Sequence, residues 1–281
     1  MKQKRLNDYE KIELTQLWDS KNWTIKQLSE KYCITTVAII GLLKRRGYTM
    51  KPQTELQRKY PINETFFDTI DTQEKAYILG LLYADGYNNT GRNSVNLALK
   101  ESDKEILDKI TAIIQPTKPL QYVDTSSTST RKSKGFENSQ NQYRLVIANK
   151  HISEQLSKLG CTKAKTFSII FPTEEQVPSY LHSHFIRGYF DGDGSVSGNK
   201  QKQFSITGTE LFLRSIQAIL VKELNFSNTK LDRRNKNSTN NILSLRYCGI
   251  LRCIKFRDYL YKDSTISLFR KEDIFKSYKS L

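Results

Sequence analysis

The feature that most constrains this chain is a pair of matching stretches, "GLLYADGYNN" at 80–89 and "GYFDGDGSVS" at 188–197. Gly80, Ala84, Asp85 and Gly86 recur as Gly188, Gly192, Asp193 and Gly194 at one constant offset. Their surroundings recur too. The first copy reads as a helix from about Asp71 to Ala84, the strand-like "SVNLALK", the helix "DKEILDKITAII", the strands "PLQYVDTS" and "NQYRLVIA", then the helix "HISEQLSKLG". The second reads as a helix to Gly194, "QFSIT", "ELFLRSIQAILVKEL", "NTKLDRR" and "ILSLRYC", then "ILRCIKFRDYLY". With a short strand after each Asp-Gly turn, each copy is αββαββα. One copy has too little surface to close a core over a four-stranded sheet, whereas two related by a pseudo-two-fold axis do. The expectation is an α+β fold of two pseudo-symmetric repeats around a central helix pair, covering about 66–176 and 177–281.

In each motif helix two small residues stand four apart and share a face, which lets two helix backbones approach closely. Pairing those faces brings Asp85 and Asp193 side by side. Each then lies at the negative end of a helix, where an anion is disfavoured by roughly 0.3–1 kcal/mol, and the two repel unless a cation intervenes. With no His or Cys nearby in sequence, the site suits Mg²⁺ or a similar divalent ion such as Mn²⁺, which keeps waters and shares its coordination with a substrate phosphate. Gly86 and Gly194 are expected to supply a positive φ that stops each helix. A calcium loop starting at Asp191 fails, because its sixth position is Val196 and its twelfth is Lys202.

Residues 1–48 read as a separate unit of three short helices, followed by a linker at 49–65 with Pro52 and Pro61 and a second domain at 66–281. In the first helix Ile12 is expected near Trp18, and Leu14 near Leu17 and Trp18. "WTIKQLSEKY" opens with a capping box of Thr24 and Gln27 and places Ile25 and Leu28 inward. "TVAIIGLLKRRG" is expected to bury a stripe of Val37, Ile40 and Leu43, ending in cations before Gly47. A tight turn between the second and third helices makes this a helix-turn-helix, the third helix entering a DNA major groove with Thr36, Lys44, Arg45 and Arg46 toward DNA. The charge agrees: residues 1–60 hold 13 basic against 6 acidic residues, and the whole chain is +16. Cys33, Cys161, Cys248 and Cys253 show no CxxC pairing and only three histidines accompany them, so no structural zinc is expected and the thiols read as core residues in a reducing compartment. No signal peptide or membrane span is evident, so an intracellular protein is expected, in the cytoplasm or an organelle matrix.

The segments "ILGLLYADG" (78–86) and "IRGYFDGDG" (186–194) resemble the two signature motifs of LAGLIDADG homing endonucleases in their single-chain form, and the likeness spans roughly residues 66–281. It implies a saddle of β-sheets gripping double-stranded DNA, a monomer, and metal-dependent cleavage of both strands. It also implies Asp85 and Asp193 as metal-binding acids, the backbone carbonyls of Ala84 and Gly192 as further ligands, and a lysine after the last helix of each repeat near the scissile phosphate, best matched by Lys165 and Lys271. The chain departs from the pattern at Tyr83, which replaces the first acid of motif one, and at Arg187 and Tyr189 in motif two. Recognition is expected from two long hairpins, the first offering Arg131, Lys132, Lys134 and Arg144 and the second Lys230, Arg233, Arg234, Lys236 and Arg246. The rival readings are a non-cutting DNA-binding regulator or an intron RNA maturase on the same fold, and a transposase or recombinase adaptor in which only the helix-turn-helix acts.

Overall fold

The computed structural model describes residues 5–20, 23–50, 60–125, 140–197, 202–233 and 241–278. The chain divides into two compact units, Met1–Pro61 and Ile62–Leu281.

The N-terminal unit has three helices: α1 (Asp8–Asp19), α2 (Ile25–Tyr32) and α3 (Thr36–Arg45). Asn7 and Glu10 form a capping box on α1, and Thr24 and Gln27 form the expected one on α2. Cys33 turns the chain after α2 in a left-handed conformation (φ 53°), Thr35 caps α3, and Gly47 follows with φ +86°. Leu14, Ile25, Leu28, Tyr32, Ile39, Leu42 and Leu43 form the core. This corrects the expected stripe on α3: Leu43 is buried, but Ile39 and Leu42 accompany it, Ile40 is half-buried and Val37 is 71% exposed. "TVAIIGLLKR" is apolar nearly all round, so its period allows more than one inner face. Ile34, packing just ahead of Thr35, joins the same core. Ile12 is likewise exposed, while Leu14 takes the inner place on α1.

The second unit follows the doubled pattern. Its first repeat runs α4 (Gln73–Asp85), β1 (Gly86–Asn89), β2 (Ser94–Lys100), α5 (Lys104–Ile114), β3 (Gln121–Val123), β4 (Gln142–Ala148) and α6 (Lys150–Lys158). Its second runs α7 (His182–Asp193), β5 (Gly194–Ser197), β6 (Gln203–Thr209), α8 (Glu210–Leu224), β7 (Ile242–Cys248) and α9 (Ile250–Tyr261), with a further helix α10 (Phe269–Lys276). Both sheets are antiparallel, one ordered β1-β2-β4-β3 and the other β5-β6-β7. The expected strand "NTKLDRR" does not form a ladder among the described residues; only Asp232 bridges Ser244 of β7. Alternation of buried Val95, Leu97 and Leu99 in β2, and of Phe204 and Ile206 in β6, turns one face of each sheet to the core and leaves the other polar.

The central helices α4 and α7 pack through their small residues. A Cβ built on Gly80 meets Phe185 O at 2.1 Å and Tyr189 N at 2.9 Å, while one on Gly188 meets Tyr77 O at 1.9 Å and Leu81 N at 2.9 Å. Phe185 and Tyr189 are the repeat-mates of Tyr77 and Leu81, so each helix meets the same surface on the other, as a two-fold interface requires.

Candidate nucleic-acid cleavage site

The helix pair delivers its two acids to one place. A Cβ on Gly192 would lie 2.3 Å from Ala84 Cβ and 2.9 Å from Asp85 Oδ2, so the Asp85 carboxylate rests against the residue next to Asp193. Both side chains reach water yet are hemmed in by protein atoms. Burial first, and then the Asp193 charge, push Asp85 up to about 6, with Lys271, Lys165 and Arg270 pulling the other way. Burial raises Asp193 as well, against Lys271 and Lys165.

Gly86 and Gly194 stop the helices differently from expectation. Their φ values are −75° and −87°, ordinary extended backbone, not positive. They are glycines for want of room: a Cβ at Gly86 would meet Leu82 O at 2.5 Å, and one at Gly194 would meet Phe190 Cδ2 at 2.1 Å. The chain can thus turn straight from each helix into the short strand beside it.

Lys165 and Lys271 come to the same centre, both buried. Lys165, in a 3-10 turn after α6, donates to the Gly86 carbonyl. Lys271, on α10, donates to the carbonyls of Phe190 at 2.6 Å, Gly192 at 3.1 Å and Gly194 at 2.6 Å. A cation on the last carbonyls of a helix opposes the negative end of its dipole. Burial brings Lys271 down to about 8, partly offset by Asp191, Asp85 and Asp193. The Gly192 carbonyl, expected as a ligand beside that of Ala84, is thus already an acceptor for Lys271.

Sequence reading missed the residues that hold Lys271 in place. Asp191, fully buried, accepts from Tyr77 Oη of α4 (2.8 Å), Tyr261 Oη of α9 (2.7 Å) and the Leu268 backbone N–H (2.7 Å) just ahead of α10. Its repeat-mate Tyr83 instead donates to Leu159 O. Arg187, also buried, donates to the carbonyls of Ile266 (3.0 Å) and Leu260 (2.8 Å). Arg270 pairs with Asp103 at 3.0 Å and so ties α10 to the first repeat. The extra acid of "DGDG" was the one visible signal, but nothing local revealed its tyrosine partners.

A groove of about 470 Å³ opens beside Asp193 along the polar face of the second sheet, lined by Gln203, Ser205, Thr207, Asp232, Ser244 and Arg246. Arg246 stands opposite Ser205 on that sheet, and Arg144 opposite Ala98 on the first. Lys230 and Arg233 are exposed. Arg131, Lys132, Lys134, Arg234 and Lys236 lie outside the described residues. On α3, Thr36, Lys44 and Arg45 face outward, and Arg46, also exposed, donates to Thr15 Oγ1 of α1 at 3.3 Å.

The family described as LAGLIDADG-like domain matches residues 181–261. An uncharacterized protein of Methanocaldococcus jannaschii is 26% identical over 277 residues, covering 89% of each chain. The homing endonuclease I-WcaI bound to its DNA recognition sequence superposes with a TM-score of 0.52 at 14% identity, covering 82% of this chain and 97% of its own. The I-LtrWI LAGLIDADG homing endonuclease bound to target DNA gives 0.44 at 12% identity, covering 77% of this chain and 90% of its own. No helix among the described residues is long and apolar enough to cross a membrane.

Proposed function

We propose that this chain, a two-repeat protein of the LAGLIDADG fold, is a site-specific endonuclease that hydrolyses one phosphodiester in each strand of a DNA duplex. The observation that carries the reading is the pairing of Asp85 and Asp193 where α4 and α7 end, open to water and flanked by the ammonium groups of Lys165 and Lys271. Among the described residues no three His, Cys, Asp or Glu side chains converge on a metal site. Two carboxylates with backbone carbonyls are an all-oxygen donor set, which suits Mg²⁺ or Mn²⁺ with water and phosphate oxygen completing the shell. Such an ion, when bound, lowers the pKa of an attacking water and neutralises charge on the phosphoryl oxygens. Asp85 and Asp193 act in their ionised form and hold the cation. Lys165 and Lys271 keep positive charge beside the anionic phosphate while fixing the helix ends. The polar sheet faces, with Arg144 and Arg246, seat the duplex, and the N-terminal unit lengthens the recognised sequence. The protein acts as an intracellular monomer, its two repeats each engaging one half-site of the duplex.

The decisive substrate is the DNA flanking the coding sequence, joined as an uninterrupted site in a supercoiled plasmid. With Mg²⁺ the protein is expected to linearise it, and with EDTA to leave it intact. Asp85→Asn and Asp193→Asn are each expected to lower cleavage by on the order of 100-fold or more while binding persists. A plasmid left supercoiled by the wild-type protein, which nonetheless binds the same site, establishes a non-cutting regulator instead. Preferential binding of RNA transcribed from the same region over the duplex establishes a maturase. Function unaffected by both substitutions establishes an adaptor.

A further inference from the structure

The outer face of α3 has an unusual composition. Opposite the buried Ile39, Leu42 and Leu43 runs one stripe of Thr36, Val37, Gly41, Lys44 and Arg45, with Ile40, partly packed on the core, along its edge. Its first half offers methyl groups and bare backbone, with Val37 71% exposed, and its second half offers two cations. No carboxylate lies on it. The solvent face of a short helix ordinarily mixes charges, as α1 does with Asp8, Glu10 and Lys11.

Gly41 sharpens the point. A glycine inside a helix is less stable than alanine. Yet a Cβ built there meets only the end of a flexible side chain, Arg45 Nη1, at 3.4 Å. Nothing else within 4 Å stands against that Cβ, so the packing does not require a glycine there, and its absence leaves the helix backbone open to close approach from outside.

We infer that this stripe lies on the floor of a DNA major groove at a thymine-bearing step. Val37, flanked by Ile40, packs on the thymine C5-methyl, Gly41 lets the helix backbone reach the base edges, and Lys44 and Arg45 take phosphates. The C5-methyl is the apolar group that the major-groove edge presents. In a helix-turn-helix the N-terminal residues of the second helix are the ones that meet base edges. A stripe that ends in cations and lacks acids, on a chain of net charge +16, is complementary to a polyanion. The inference rests on the reading that the chain binds DNA, and is independent of cutting.

The test uses the full chain in EDTA, where binding is read without cleavage. Sequences are first enriched from a pool of random duplexes with the wild type and with Val37→Ala. Positions whose preference differs between the two mark the step read by α3. Thymine there is then replaced by deoxyuridine, which keeps pairing and the O4 acceptor but loses the methyl. The wild type is expected to bind the uracil duplex about threefold to fivefold more weakly, the equivalent of one buried methyl. Val37→Ala is expected to bind both duplexes equally, at the level of the wild type on uracil. Gly41→Ala is expected to melt no lower than the wild type and to bind about tenfold more weakly. Equal wild-type binding to thymine and uracil, unchanged preferences in Val37→Ala, or wild-type binding by Gly41→Ala each overturn the assignment. A chain that shows the thymine preference but never cuts in Mg²⁺ loses the nuclease reading and keeps this one. A chain that cuts without the preference does the reverse.

Discussion

Asp85 is a carboxylate placed where its charge is unwelcome, at the negative end of α4, crowded by protein atoms and beside Asp193. Its folded-state pKa of about 6 lies above the 3.8 of an aspartate in the unfolded chain. Between about pH 4 and 6 the native state therefore keeps a proton that the unfolded chain has released, so stability falls as pH rises through that window and stays at its lower level above it. The unscreened shift corresponds to about 3 kcal/mol, but this carboxylate is open to water, and screening reduces the effect to about 1 kcal/mol. In EDTA at pH 7.5, Asp85→Asn is expected to raise Tm by about 2–4 °C and to leave it unchanged at pH 4. Thermal unfolding at the two pH values checks this, and a lower Tm for the variant at pH 7.5 removes the argument that the acid is strained without a cation. Asp191 differs only in surroundings. Three donors surround it, so the same side chain two residues upstream serves as a strut of the fold.

At the scale of elements, the reciprocal contact of α4 and α7 fixes the distance between the two acids. Backbone atoms wall in both Gly80 and Gly188, so an added methyl cannot be absorbed by a rotamer change. Gly188→Ala is expected to cost about 3 kcal/mol, read as a lower urea midpoint at unchanged slope. A neutral result means the helices are free to slide. This interface was legible beforehand because its determinants are local: small residues four apart, twice, at one offset. The same holds for the Thr24 and Gln27 cap and for the alternation in β2 and β6. What escaped depends on distant partners or on a choice between equivalent faces. The helix stops at Gly86 and Gly194 come from the bulk of Leu82 and Phe190 one turn back, not from φ. The face of α3 was misplaced because apolar residues occupy most of its circumference. The strand expected at "NTKLDRR" is reduced to one bridge at Asp232, and the role of Lys271 as a helix cap depends on α10, whose position is tied by Arg270 to Asp103 in the other repeat.

At the scale of the whole molecule, a net charge of +16 divides between two units, for which the proposed DNA binding assigns different contacts. In the second unit two candidate arginines stand on strands, Arg144 opposite Ala98 and Arg246 opposite Ser205, where short neighbours leave a long side chain room to reach base edges. In the first, Lys44 and Arg45 lie in the last turn of α3, so under the proposed docking their contacts are expected to fall mainly on phosphates. Salt dependence separates the two. If the whole chain neutralises about ten phosphates, log affinity falls against log salt with a slope near −9. Replacing Lys44 and Arg45 with alanine is expected to make that slope shallower by about 2, with the sequence preference retained, because the lost contacts are electrostatic. Titrations of one enriched duplex across a series of salt concentrations measure both slopes. A wild-type slope near −5 means that only one unit engages the duplex. An unchanged slope in the double variant means that α3 does not touch the DNA backbone, since two fewer neutralised phosphates must release fewer counterions.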